Sequence, residues 1–234
     1  MAKDCFTFKQ FSVHQERCSM KVGTDGTLLG AWAHAPEGKC RILDIGVGTG
    51  LISLMMAQRY PNAHITGIDI DSEACLQAIE NVIKSPFSER ISIVKGDIAF
   101  YDSEPFDAIV SNPPFFLNSL ECPDKNRTIA RHSQSLSYKT LLKSTSRLLK
   151  DTGLFSLIIP KESLSSIESE ASLNRFILSR KYSIKTTPKK SPKRYLLEYV
   201  KTAFDNVELK EEILELSPKL KSEWYKNLTD EFYL

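Results

Sequence analysis

A chain of 234 residues with 41% hydrophobic content can bury a full core, and its net charge of +2 is too small to name a partner. The opening MAKDCFTFKQ has no apolar stretch of signal-peptide length, and no run approaches the roughly 18 uncharged apolar residues of a membrane span. A cytoplasmic protein with no membrane partner is expected. Cys5, Cys18, Cys40, Cys75 and Cys122 are odd in number, scattered and never spaced CxxC, which argues against a disulfide framework and a zinc site and fits reduced thiols. The sequons at Asn126 and Asn227 would then be accidental.

At the N-terminus, Phe6, Phe8 and Phe11 among Lys9, Arg17 and Lys21 read as an aromatic and basic entrance for a base extruded from an RNA loop. The alternative is a strand and turn packed on the sheet, with Phe8 or Phe11 in the core. Next come RILDI (41–45), HITGIDI (64–70), ISIVKGD (91–97), DAIVSN (107–112) and LFSLIIP (154–160), short apolar runs of the buried-strand kind. They alternate with LISLMMAQRY (51–60), EACLQAIENVIKS (73–85) and YKTLLKSTSRLLK (138–150), whose apolar residues recur at helical steps. Alternation of this kind predicts an α/β fold with a parallel, doubly wound sheet. RFILSRKYSIKT (175–186) and RYLLEYVKTAF (194–204) flank TPKKSPK and read as an antiparallel pair closing the sheet edge. No repeat, low-complexity tract or domain linker is visible, so one domain is expected.

Charge is unevenly placed along this order. Arg175 to Arg194 holds eight basic residues and no acidic one, while Glu198 to Leu234 holds nine acidic residues against five lysines. The basic stretch, Lys189, Lys190, Lys193 and Arg194 above all, reads as a polyanion-facing edge or as a solvated strand pair with a charged loop.

Ligands of such sheets bind at the carboxyl ends of the strands. The first turn, LDIGVGTGL, has Gly46, Gly48 and Gly50 for a tight bend and close backbone approach, spaced GxGxG and preceded by Asp44. Asp69, with Ile70 beside it, ends the second strand at the distance expected of a ribose-binding carboxylate, and Asp97 ends the third where an adenine ring would lie. Glycines also make ordinary turns and acids also cap helices. Three carboxylates with no basic residue in the turn fit a cationic nucleoside better than a diphosphate. The set resembles the class I S-adenosylmethionine-dependent methyltransferases, in which the positions of Asp44 and the glycines hold the methionine part, that of Asp69 the ribose and that of Asp97 the adenine.

Asn112-Pro113-Pro114-Phe115 follows the fourth strand. An exocyclic amine on a heteroaromatic ring is a poor nucleophile, and two fixed acceptors, the Asn112 side chain and the Pro113 carbonyl, can turn its lone pair toward a methyl donor. The prolines hold that carbonyl rigid and Phe115 offers a stacking face. The structural alternative is a strand terminator with an aromatic plug. NPPF resembles the motif of methyltransferases acting on adenine N6, guanine N2 or protein glutamine.

FTFKQFSVHQERCSMKVGTDGTLLGAWA (6–33), SPFSERI (85–91), RHSQSLSY (131–138) and LTDEFYL (228–234) closely resemble the bacterial tRNA1(Val) (adenine(37)-N6)-methyltransferases, over nearly the whole chain. The resemblance implies a Rossmann-like fold with a mainly parallel seven-stranded sheet, an antiparallel edge pair and helices on both faces. It implies a covering segment 1–33, a core 34–204 and a C-terminal extension 205–234. It further implies that Lys21, Thr24 and Asp25 of KVGTDG fold over S-adenosylmethionine, and that the substrate is the adenosine beside a tRNA anticodon. Arg131 and His132 then read as substrate contacts, since the amine needs no base before attack. No cluster has metal-ligand spacing, and a monomer is expected. An acceptor in ribosomal RNA, a protein glutamine, or a non-catalytic RNA-binding role are the alternatives.

Overall fold

Apolar residues at helical steps wind into helices in this chain, and its unbroken apolar runs pair into a sheet buried on both faces. A computed structural model describes residues 4–18, 20–114, 136–202 and 206–234. They form β1 (Cys5–Thr7), β2 (Ser12–His14), α1 (Thr24–Trp32), β3 (Arg41–Ile45), α2 (Leu51–Arg59), β4 (His64–Asp69), α3 (Ser72–Ile83), β5 (Ile91–Lys95) and β6 (Phe106–Ser111). There follow α4 (Tyr138–Leu148), β7 (Leu149–Pro160), α5 (Leu164–Leu173), β8 (Ile177–Lys185), β9 (Arg194–Val200), β10 (Glu208–Ile213), β11 (Glu215–Ser217), β12 (Leu220–Lys221) and α6 (Glu223–Thr229).

Eight strands make one sheet in the order β10-β8-β9-β7-β6-β3-β4-β5. Neighbours run parallel except at β9, which opposes both β7 and β8. The mainly parallel sheet is as expected, with one strand more than seven: β10 pairs in parallel with β8, so the antiparallel pair lies inside the sheet rather than at its edge. The sequence of β10, ELKEEI, is charged at all but Leu209 and Ile213 and gives no strand signal, as suits a protected sheet edge. Arg180 of β8 reaches it, with Nε donating to Glu208 at 3.0 Å and Nη1 to the buried Glu198 at 3.1 Å. The same guanidinium lies 3.9 Å from the Trp32 ring centroid.

Two apolar layers flank the sheet. One holds Leu28 of α1, Leu54 and Met55 of α2 and, from the chain ends, Phe8, Val13, Tyr225 and Phe232. The other holds Leu141 and Leu142 of α4, Ile167 of α5, and Phe155, Phe176 and Tyr199. Helix α1 was not legible in the sequence because Gly26 to Trp32 are all buried, which leaves no polar face to set a period.

Of the two readings of the N-terminal aromatic cluster, the structure agrees with the packed one for Phe8 and Phe11. Phe8 is 2% exposed, stacks on Phe11 with centroids 4.8 Å apart, and lies 5.8 Å from Tyr233. It is therefore core, not a substrate-facing ring, because burying a phenyl group stabilises by about 1.5–3 kcal/mol. Lys9 is likewise engaged with the C-terminus: its backbone N–H donates to Phe232 O at 2.8 Å and its Nζ to Asp230 O at 2.5 Å.

Candidate active site

From β3 the chain winds to β4 and β5 on one side, then returns to place β6 and β7 on the other. The crevice where the winding reverses is the binding position of doubly wound sheets. Along that edge stand Asn112 after β6, the Gly46–Gly50 turn after β3, Asp69 closing β4 and Asp97 after β5. Three strand spacings, about 14 Å, separate the first from the last.

The glycine turn is fixed by backbone conformation. Gly46, Gly48 and Gly50 have φ of +77°, +52° and +83°, the left-handed region that costs other residues about 1–2 kcal/mol. A Cβ on Gly46 would meet no atom within 4 Å, so the space beside the turn is open. Gly46 and Val47 N–H donate to Ile68 O, and Gly48 N–H donates to Asp69 Oδ2 at 3.0 Å. Asp69 Oδ1 accepts from Asp71 N–H, also at 3.0 Å, so each carboxylate oxygen keeps acceptor capacity. Asp97 Oδ1 accepts from Ala99 N–H at 2.9 Å, and Ile70, next to Asp69, is half exposed with its apolar surface uncovered.

Asp44 is fully buried under this turn. Its Oδ2 accepts from Ser53 N–H at 3.1 Å and Ser53 Oγ–H at 2.7 Å, which pins the first turn of α2; its Oδ1 has no partner among the described residues. Burial pushes its carboxyl up to about 7 against the pull of the Ser53 hydrogen bonds, with Asp69 adding to the rise. The folded chain thus holds a proton that the unfolded chain has released, and raising pH from the ordinary carboxylate range through about 7 costs stability at this site. Asp44→Asn stays neutral and keeps an acceptor for Ser53. The variant is expected to gain stability relative to the native chain between pH 5 and pH 8, read from denaturant midpoints; an equal difference at both pH values would contradict the assignment.

Ser111 Oγ donates to Ile45 O at 2.9 Å and ties β6 to β3 just before Asn112. Asn112 Nδ2 donates to the Met20 thioether sulfur at 3.7 Å, while its Oδ1 is buried with no partner among the described residues. Pro113 is buried and Pro114 exposed. A buried unpaired acceptor costs about 1–3 kcal/mol. Phe115, Arg131 and His132 lie outside the described residues.

The N-terminal segment is strapped across this edge by polar residues that sequence reading missed. Asn81 Oδ1 accepts from His14 N–H at 2.9 Å, and Asn81 Nδ2 donates to His14 O at 2.8 Å and to Thr49 O, in the glycine turn, at 2.9 Å. Gln77 accepts from Arg17 N–H at 3.2 Å, and Gln15 Oε1 from Val22 N–H at 2.7 Å. The strap passes Asp69 at Cys18, whose thiol is pushed up to about 11 by burial and by the charges of Asp69 and Asp71, and meets Asn112 at Met20. Lys21 Nζ donates to Gln15 O at 2.7 Å, and Thr24, exposed, begins α1. Their signal in the sequence, buried amides on the α3 face, is indistinguishable from solvated polar residues without the fold.

Asp25 and Arg194 form an ion pair at 2.7 Å, so Arg194 ties β9 to α1 rather than standing free for a phosphate. Lys189, Lys190 and Lys193 are exposed in the β8–β9 connection. Among the described residues no group of three or more His, Cys, Asp or Glu could hold a metal ion, and no helix is long and apolar enough to cross a membrane.

The methyltransferase small domain family matches residues 25–165. A Bacteroides thetaiotaomicron protein named tRNA1(Val) (adenine(37)-N6)-methyltransferase is 48% identical over 238 residues, covering all of this chain and 99% of its own, and a Phocaeicola vulgatus protein of the same name is 49% identical with the same coverage. The chain belongs to this family. The fold extends further: a predicted O-methyltransferase from Agrobacterium tumefaciens superposes with a TM-score of 0.69 at 20% identity, over 89% of this chain and 96% of that one. In this family setting the crevice is chemically matched to S-adenosylmethionine. It offers carboxylates and no cation in its glycine turn, an open cradle at Gly46 and an uncovered apolar side chain at Ile70 beside Asp69.

Proposed function

We propose that this protein methylates the exocyclic N6 amine of adenosine 37 in tRNA1(Val), using S-adenosylmethionine, in the cytoplasm. The observation that carries the reading is the Asn112 Oδ1 at the switch point of the sheet, buried and without a partner among the described residues. An acceptor left in that state at a ligand crevice is a site awaiting a donor.

When bound, S-adenosylmethionine supplies an electrophilic methyl group on a sulfonium. The chain's own residues do the rest. Asp69 accepts from ribose hydroxyls while its bonds to Gly48 and Asp71 keep it oriented. Ile70 and Asp97 would hold the base, and Gly46, Gly48 and Gly50, with positive φ, would admit close backbone approach. Asp44 holds the turn through Ser53. Lys21, Thr24 and Asp25 belong to the strap that covers the ligand. Asn112 Oδ1 and the Pro113 carbonyl accept the two amine hydrogens, turn the lone pair out of the ring and take up the positive charge that develops. The prolines prevent that carbonyl from relaxing away. No base is needed before attack, and the surplus proton passes to solvent water once the nitrogen is cationic.

The test is transfer of labelled methyl to total tRNA from cells lacking the gene, followed by nucleoside mass spectrometry. N6-methyladenosine appearing in a valine tRNA is the expected result. Label in protein or ribosomal RNA instead would overturn the acceptor assignment and leave the site chemistry standing.

A further inference from the structure

The eight basic residues from Arg175 to Arg194 are not equivalent in the fold: Arg175, exposed, precedes β8 and so lies at the opposite end of that strand from the β8–β9 tip. Arg180 pairs with Glu198 and Glu208, Lys181 with Glu168, Lys185 with Glu211 and Arg194 with Asp25. Lys189, Lys190 and Lys193, at the tip between β8 and β9, are exposed and make no ion pair among the described residues. Charges that the protein does not neutralise itself are the ones available to a polyanion.

The tip is joined to a fourth lysine. Lys161 N–H donates to Lys193 O at 3.1 Å, and Pro160 of β7 is level with Arg194 of β9. Lys161 is exposed and makes no ion pair among the described residues. Register fixes its place relative to the crevice: Ser111 is level with Leu157 in the parallel β6–β7 pair. Lys161 therefore stands four residues, about 13 Å, beyond the level of Ser111 on the side of Asn112. The surface continues to α4, because Tyr138 Oη donates to Ser163 Oγ at 2.7 Å and Lys139 follows it, exposed, on a groove it shares with Ser165, Ser166, Ser169 and one acid, Glu170. Glu162 is the one acidic residue in the segments 137–143, 160–163 and 186–193.

We infer that Lys139, Lys161, Lys189, Lys190 and Lys193 form one docking surface for the RNA sugar-phosphate backbone flanking the target base. The occupant is RNA because the surface opens at the same end of the sheet as Asn112, and a strand whose base enters the crevice must carry its phosphates across this rim. The inference rests on the functional reading above and narrows the docking surface from the whole basic stretch to its unpaired tip plus two lysines from other elements.

Binding of unmethylated tRNA to the whole chain, followed by fluorescence anisotropy across a salt series, tests it. The triple variant Lys189→Glu, Lys190→Glu, Lys193→Glu should bind tRNA about 10- to 100-fold more weakly. Its log-log salt slope should be shallower by about 2–3, near 0.7–0.9 for each phosphate that the variant no longer neutralises. Lys161→Glu and Lys139→Glu should each show part of this effect, whereas Lys181→Gln, in the same stretch but ion-paired to Glu168, should keep the native slope. Cofactor affinity by calorimetry should be native in all of them. If the tip variants bind tRNA with native affinity and slope while the native chain methylates tRNA, the docking surface is wrong and the function stands. If the native chain neither binds nor methylates tRNA but labels an acidic protein, both fall.

Discussion

Asn112→Ala is expected to lower kcat for methyl transfer by at least about 100-fold, the range seen when a positioned transition-state hydrogen-bonding group is removed, while cofactor affinity changes by less than about threefold. The reason lies in the state of the amide. Among the described residues its nitrogen is engaged by the weak acceptor Met20 and its buried oxygen by no partner, so removing the group costs the folded chain little. Deleting a buried unpaired acceptor is neutral or stabilising by about 1 kcal/mol. The variant should therefore match or exceed the native denaturation midpoint while failing in turnover. Retained turnover would remove Asn112 from the reacting set, and a collapsed midpoint would mean that the side chain serves the fold.

Asp69→Ala should give the converse pattern, a cofactor dissociation constant raised by about 100-fold or more with kcat at saturation reduced far less. Hydrogen bonds to a charged acceptor are worth about 1.5–3 kcal/mol each, and tenfold in affinity corresponds to about 1.4 kcal/mol. The same carboxylate also holds Gly48 N–H and Asp71 N–H, so its loss releases the glycine turn as well as the ribose. Asp69→Asn keeps one acceptor and should fall between the two. Calorimetric titration with S-adenosylmethionine reads the effect directly, and an unchanged constant in the alanine variant would place the ribose elsewhere. Together the two variants separate positioning of the acceptor amine from cofactor binding, because each removes one function and spares the other.

The sequence by itself determined what depends on neighbours in the chain. The apolar runs of β3 to β7, the glycine turn and the Asn-Pro-Pro stretch were legible because strand period, left-handed φ and proline geometry are properties of a few consecutive residues. The acids at strand ends were legible for the same reason, since they follow the strands directly. Tertiary structure alone decided which polar and aromatic groups are already spoken for. Arg194 meets Asp25 from 169 residues away and Lys9 meets Asp230 from 221 residues away, separations across which no sequence pattern is informative. Phe8 became core because Phe11 and Tyr233 were there to cover it. Asn81 became the clasp of the strap because β2 and the glycine turn both presented backbone groups to its amide. The edge strand β10 pairs in parallel with β8, and Arg180, held against Trp32 and Glu198, also donates to its Glu208. Local chemistry fixed where a ligand could bind, and long-range pairing fixed which charges remained free to bind it, because a charge is available only after the fold has chosen its partners.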